Sequence, residues 1–342
     1  MFRSIFKKST ILVLVILFTN SLYAQWVKQV SGTDASFRSI HAISKKVVWA
    51  GGTNGTVLKT TNAGAHWEVI KVSGAEKLDF RDIYGVNEKI AYIMSAGNAE
   101  DGAAKIYKTI NGGISWEVVL EYKQKGVFFD SMDFWNEKEG ILIGDPIDDK
   151  PFILRTLDGG KSWLRIAKEN LPLIKEGEAS FAASGNCVVT RPNGKAWVNT
   201  QNRIFFTSDK GETWQVSETP FKKGQTAGIF GLHFWSDVQG IAVGGDYKND
   251  KAEYENVALT NDGGQTWKFL PSAQPYGLKE AASRLPNGNI ILVGTSGTSL
   301  LEKDEENWKA LDDYSFHTIS CFKDACWAIG AKGNLAKFTT KK

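Results

Sequence analysis

Thr156-Leu157-Asp158-Gly159-Gly160-Lys161-Ser162-Trp163 decides how the whole chain is read, because it recurs. The same spacing of Thr, Asp or Asn, Gly and Trp returns at 60–67 (Thr60, Asn62, Gly64, Trp67) and 109–116 (Thr109, Asn111, Gly113, Trp116). It returns again at 207–214 (Thr207, Asp209, Gly211, Trp214) and 260–267 (Thr260, Asp262, Gly264, Trp267). An apolar run precedes each copy, as in Phe152-Ile153-Leu154 and Val257-Ala258-Leu259, and a second short run follows the Trp. A strand, a polar turn and a returning strand make a hairpin. The Asx carboxyl or amide oxygen can take turn N–H groups, the glycine can adopt positive φ, and the Trp brings a large ring to bury. Five copies of one acid argue for a structural device, since an active site needs one such group.

Counting by Trp extends the pattern. Trp308 ends a degenerate copy, with Lys303 and Glu305 at the Asx and Gly positions, and Trp26 opens another near the N-terminus. Successive Trp residues lie 41 to 53 residues apart, enough for four short strands per unit. Helical periodicity is nearly absent, while glycines and turn residues punctuate short apolar runs. The expectation is an all-β chain: a seven-bladed β-propeller of four-stranded antiparallel blades. The C-terminal strands 317–320, 326–329 and 335–338 lack a fourth partner, and the strand at Trp26 is expected to supply it and close the last blade. Six and eight blades are the alternatives.

The repeated residues resemble the Asp-box, or BNR repeat, of sialidase-type β-propellers. Among such families the chain is most similar to the photosystem II stability/assembly factor-like group of secreted or lumenal propellers. The resemblance covers nearly all of residues 25–342; it is specific for architecture and poor for activity.

Residues 1–24 read as a signal peptide: Arg3, Lys7 and Lys8, then an apolar run from Ile11 to Phe18, then Leu22-Tyr23-Ala24 before Gln25. An uncleaved N-terminal anchor is the alternative, although the run is short for a membrane span. Those three cations account for the whole formal charge of +3, so the chain from Gln25 onward is neutral on count. That balance speaks against a general nucleic-acid or anionic-membrane binder. Residues 25–342 form one expected domain, secreted to the periplasm or beyond the cell and acting as a monomer without stable membrane insertion. If Lys323-Asp324 is a two-residue turn, Cys321 and Cys326 face each other across a narrow strand pair and can form a disulfide, which export permits.

Function is expected on the face opposite the repeated turns, where ligands of propellers enter the channel. Arg38 and Arg81 hold equivalent places in Phe37-Arg38-Ser39-Ile40 and Phe80-Arg81-Asp82-Ile83. Asp145, Glu178, Asp246 and Tyr247 come from distinctive loops, and together these six are the candidate ligand-binding residues, with guanidinium groups suited to carboxylate or phosphate. No cofactor motif or metal-ligand cluster stands out, although His41, His233 and His317 all fall on first strands. The reading is a non-enzymatic interaction or assembly module for an envelope or extracellular protein or glycan. The alternative is a glycoside hydrolase, for which Asp145, Glu178 and Asp246 could supply the two carboxylates.

Overall fold

The computed structural model describes residues 24–253, 255–270 and 275–340; the expected signal peptide lies almost wholly outside them. They form seven four-stranded antiparallel sheets. Blade 1 consists of Phe37–Ala42, Val48–Gly52, Thr56–Thr60 and Glu68–Lys71. Blades 2 to 6 begin with Asp79–Gly85, Phe129–Phe134, Val188–Arg191, Ala227–Phe234 and Ala281–Arg284. These first strands contact one another around the ring axis. Blade 7 joins Thr318–Phe322, Ala325–Ile329 and Leu335–Thr340 to Ala24–Lys28, which pairs antiparallel from Ala24 opposite Thr340 to Lys28 opposite Ala336. The ring is therefore closed by both ends of the chain. Among the described residues no helix is long and apolar enough to cross a membrane.

Each repeated turn is built alike. In the third copy Thr156 Oγ1 accepts the Gly160 N–H and donates to Asp158 Oδ1, which also accepts the Ser162 N–H. The same three bonds recur around Asn62, Asn111, Asp209 and Asp262. The hydrogen bonds from Ser162 hold the Asp158 carboxylate at about pKa 2. The residue after the Asx and the glycine that follows are both left-handed, with φ of 72° and 76° at Gly159 and Gly160.

The turn also fastens one blade to the one before it. Its positive-φ carbonyl, at Ala63, Gly112, Gly159 and Lys210, accepts a hydrogen bond from a basic residue on the preceding blade's third strand: Lys337, Lys59, Lys108 and Arg155 respectively. Gly263 takes its bond from Trp197 Nε1 instead. The lysines also lie 4.8–4.9 Å above Trp327, Trp49 and Tyr92, which occupy one shared position on the second strands. The Trp of the turn then packs in the same cores, Trp67 with Trp327, Trp49 edge-on to Trp116 at 6.1 Å, and Trp197 with Trp267.

Cys321 and Cys326 are opposite each other, 4.0 Å apart at Cα, and bonded, with Lys323 at positive φ in the turn between them. Cys187 is free and buried. In blade 3 the loop expected around Asp145, residues 144–151, is mostly strand: Gly140–Ile147 and Lys150–Thr156 meet at a two-residue turn in which Asp148 and Asp149 both have positive φ. That geometry matches the right-handed twist of the strands, and Asp tolerates it better than most residues.

A methyl at Gly160 would sit 2.9 Å from Tyr92 Cε1 on a backbone of positive φ. Gly160→Ala is expected to cost about 1–3 kcal/mol, read by denaturant unfolding; an unchanged midpoint would show that the turn does not seat the Trp against blade 2.

Candidate functional site

One register position, in six of the seven blades, supplies the mouth of the channel. In blades 1, 2, 3 and 5 the first strand carries a β-bulge, and the extra residue is Arg38, Arg81, Asp130 and Phe230. A bulge leaves one residue outside the ladder and re-aims its side chain. The matching residues in blades 6 and 7, Glu280 and His317, directly precede the first strand and pair through their N–H groups with Val293 and Ile329. All six side chains line a cavity of about 490 Å³. Its remaining wall includes Phe128, Asp145, Phe181, Tyr247 and Asp250. Phe181 stacks on Phe230 at 4.4 Å, with Tyr247 edge-on to both.

The floor is a strap, residues 178–187, that crosses the axis before entering blade 4. Arg38 Nη1 donates to Ala183 O and Arg81 Nη1 to Ala182 O. Ser131 Oγ of blade 3 donates to Gly185 O, Ser184 Oγ donates to Phe230 O and Glu280 O, and Asn186 Nδ2 donates to Thr318 Oγ1 of blade 7. Five consecutive residues thus touch every other blade. The strap's near end is pinned by Glu178, whose oxygens take Arg203 Nε at 2.9 Å, Arg203 Nη2, Thr200 Oγ1 and the Lys175 N–H. Burial works against the Glu178 charge, and these bonds outweigh it, so its pKa lies below the ordinary value.

Below the strap a second chamber of about 190 Å³ is lined by His41, Asp82, Asp133 and His233 among others. These groups link neighbouring blades. His41 Nδ1 accepts the Gly85 N–H, His233 Nε2 accepts the Arg284 N–H, Asp82 accepts from Ser131 and Met132, and Asp133 accepts from Thr190. Burial holds both imidazoles neutral, at pKa about 4, and raises Asp82 to about 7 and Asp133 to about 6.

Of the six residues singled out from sequence, Arg38, Arg81, Asp145 and Tyr247 come together at the mouth. Glu178 is buried in its ion pair with Arg203 at the start of the strap, and Asp246 lies outside the cavity wall, its Oδ1 accepting the Lys248 N–H. The carboxylate trio weighed for glycoside hydrolysis is therefore not assembled in the cavity. Sequence reasoning missed Asp130, Phe230 and Glu280, although sliding the Phe37-Arg38-Ser39 register along the blades reaches each of them. His317 pairs with Glu280 at 3.0 Å rather than meeting His41 and His233. Among the described residues no group of three or more His, Cys, Asp or Glu could hold a metal.

The two guanidinium groups are not free. Arg81 Nε donates to Asp79 Oδ2 at 2.7 Å, and Arg38 Nη1 lies 3.7 Å from Glu280 Oε2. Asp145 is half-buried, and burial raises it to about pKa 6. Asp130 is 2% exposed and is raised well above the carboxylate range, first by burial and then by Asp145, with Arg81 opposing.

No family model matches the chain. It is 25% identical over 287 residues to the photosystem II stability/assembly factor HCF136, chloroplastic, of Oryza sativa subsp. japonica. The alignment takes in 68% of this chain and 63% of that protein, so the chain spans just under two thirds of the relative's length. Among solved structures, YCF48 bound to D1 peptide superposes with a TM-score of 0.67 at 17% identity, covering 93% of this chain and 98% of that one. Streptogramin B lyase superposes equally well, at 0.67, 14%, 93% and 98%. The WD40 β-propeller domain of Doa1 gives 0.65 at 13% identity, over 94% and 98%. These likenesses establish a shared fold, and a lyase among them shows that the fold alone does not decide activity.

Two outcomes test this geometry. Glu178→Gln leaves Arg203 buried without its charge partner, so it is expected to cost about 3 kcal/mol and to speed amide exchange across 179–186; unchanged exchange would separate the strap from the ion pair. His41 refuses protons that the unfolded chain accepts, so its contribution is present above pH 6.5 and lost as pH falls toward 4. Asp82 and Asp133 act in the opposite direction, and a variant isolates the histidine. His41→Asn keeps a non-titrating acceptor and should reduce the loss of unfolding free energy between pH 6.5 and 4 by about 2 kcal/mol; parallel pH curves would refute that role.

Proposed function

We propose that this chain is an exported, non-enzymatic propeller of the Asp-box type that binds a segment of another polypeptide at the strap-floored mouth. The observation that carries this reading is the combination found there: an aromatic cluster of Phe181, Phe230 and Tyr247 in the same cavity as Arg38, Arg81, Asp130, Asp145 and Glu280, over a floor tied to the whole ring. A rigid concavity that is partly apolar and partly charged suits recognition of side chains, because little ordering cost is left at binding. Tyr247, 51% exposed, stands at the rim where an arriving chain would meet it first. The similarity to HCF136 and the shared fold with YCF48 bound to D1 peptide favour a polypeptide over a glycan as the ligand class. The Cys321–Cys326 bond and the apolar N-terminal stretch support export to an oxidising compartment.

Mechanistically, binding here means alignment rather than turnover. The strap keeps the upper cavity separate from the lower chamber, so a ligand would be held at the mouth and not threaded through the ring. A partner seated this way remains accessible on its outer side, which suits a factor that holds one component while another is added.

The test places a photo-crosslinking benzoylphenylalanine at Tyr247 or, on the opposite face, at Leu157, which is equally exposed. Irradiation in the native cell envelope is expected to give a protein adduct from position 247 at least fivefold more abundant than from 157. Adducts from 157 alone, or turnover of a polysaccharide by the purified chain, would overturn the reading.

A further inference from the structure

The mouth's charges do not balance once the pairs already formed are set aside. Arg81 is taken by Asp79 and by the Ala182 carbonyl; Arg38 is taken by the Ala183 carbonyl and faces Glu280; Glu280 is shared with His317. Asp130, Asp145 and Asp250 remain, and of these Asp130 is the deeply buried one. Asp130 is 2% exposed, lines the cavity, and its Oδ2 has no hydrogen-bond partner. The Thr295 hydroxyl, on the same cavity wall, is also buried without a partner. An unpartnered buried carboxyl costs a desolvation penalty that a native fold ordinarily avoids. The bulge of blade 3 aims this carboxyl at the cavity when an alternating strand would not.

We propose, building on the polypeptide-binding reading above, that Asp130 and Asp145 form a receptor for the cationic side chain of a lysine or arginine in the bound segment, beside an aromatic subsite made by Phe181, Phe230 and Tyr247. The guanidinium groups of Arg38 and Arg81 then serve to hold the strap and do not serve as the anion receptor their spacing suggests. A cation entering between the two carboxyls supplies the missing donor to Asp130 Oδ2 and removes the repulsion that each acid exerts on the other. The stem of such a side chain would pass along the rings, where a cation can also meet a π-face. Of the titratable groups around the pair, Arg81 of blade 2 acts on Asp130 directly, Cys187 lies near Asp130 and Asp82, and Arg38, Asp250, Glu280 and His317 complete the ionisable lining of the cavity. Because burial keeps the pair protonated more than ordinary carboxyls, binding should release a proton near pH 6.

The experiment titrates the full chain with acetyl-Lys-Phe-amide, acetyl-Arg-Phe-amide and acetyl-Gln-Phe-amide by ligand-observed NMR and calorimetry at pH 7.5, with calorimetry repeated at pH 6 in two buffers of different ionisation enthalpy. The expected result is a Kd at least tenfold lower for the cationic dipeptides, with proton release at pH 6. Asp130→Asn and Asp145→Asn should each cut that preference below threefold. Since Asp130 Oδ2 has no hydrogen-bond partner to lose, the Asn variant should fold with an undiminished melting temperature; should it not, Asp145→Asn decides alone. Equal binding of the Gln dipeptide, no binding of any dipeptide, or a preference that survives the folded variants would overturn the proposal. An adduct at position 247 together with any of those results would leave polypeptide binding standing and the cation receptor refuted.

Discussion

The ring depends on a hydrogen bond between blades that is made where the chain turns. A carbonyl at a left-handed residue of each repeated turn accepts a side-chain hydrogen bond from the preceding blade, and in most turns the donor is a lysine or arginine. Four of the five clear repeats use that device, at Ala63, Gly112, Gly159 and Lys210. A buried or half-buried carbonyl left unpaired would cost more than the bond contributes when made, so the turn and its neighbour specify each other. The lysine stems also cover an aromatic ring or Trp, adding cation–π contact where the charge is partly desolvated. Blade identity and blade order are thus enforced by the same few atoms, and the Trp that follows the turn fills the core this contact creates.

What was legible from sequence follows from that locality. The turn is written within eight residues, so its strands, blade count and closure by Trp26 could be read without knowing any contact across the ring. The Cys321–Cys326 pairing was readable for the same reason, since its geometry is set by two residues between them. The mouth was only half legible. Arg38 and Arg81 share flanking Phe and Ser or Asp residues, which made them visible as equivalents, whereas Asp130, Phe230, Glu280 and His317 differ in chemistry at the same register. A bulge conserves a position and not a residue type. Glu178 misled because an acid beside small residues looks alike whether it faces a channel or an arginine; its partner Arg203 lies on the next blade's third strand, and no local pattern announces that pairing.

The strap binds those two levels together. Seven inner strands around an axis leave a hole, and a hole lined by backbone and carboxyls fills with water unless something covers it. Residues 182–186 cover it with their own carbonyls and small side chains, and the arginines at the mouth are consumed in holding them. Rigidity at the centre therefore comes from a loop and not from the sheets. The two chambers it creates differ in kind: the lower one is filled with acceptors satisfied by neighbouring blades, while the upper one retains an acceptor that no blade satisfies.

The joint in blade 7 gives this molecule a clock. Ala24–Lys28 is the first strand of the ring in chain order, yet its partner strand, Leu335–Thr340, is the last; Gln25 and Thr339, which bond across the joint, are 314 residues apart in the chain. Six blades can assemble in chain order, each on its predecessor, but the circle stays open until the end, with Ala24–Lys28 waiting unpaired for Leu335–Thr340. Contacts of such long range form slowly, and an open edge strand accepts the wrong partner as readily as the right one. In that interval the first strand of one copy can fit the last blade of another, so crowding during folding would favour linked rings, and dilution would favour separate ones.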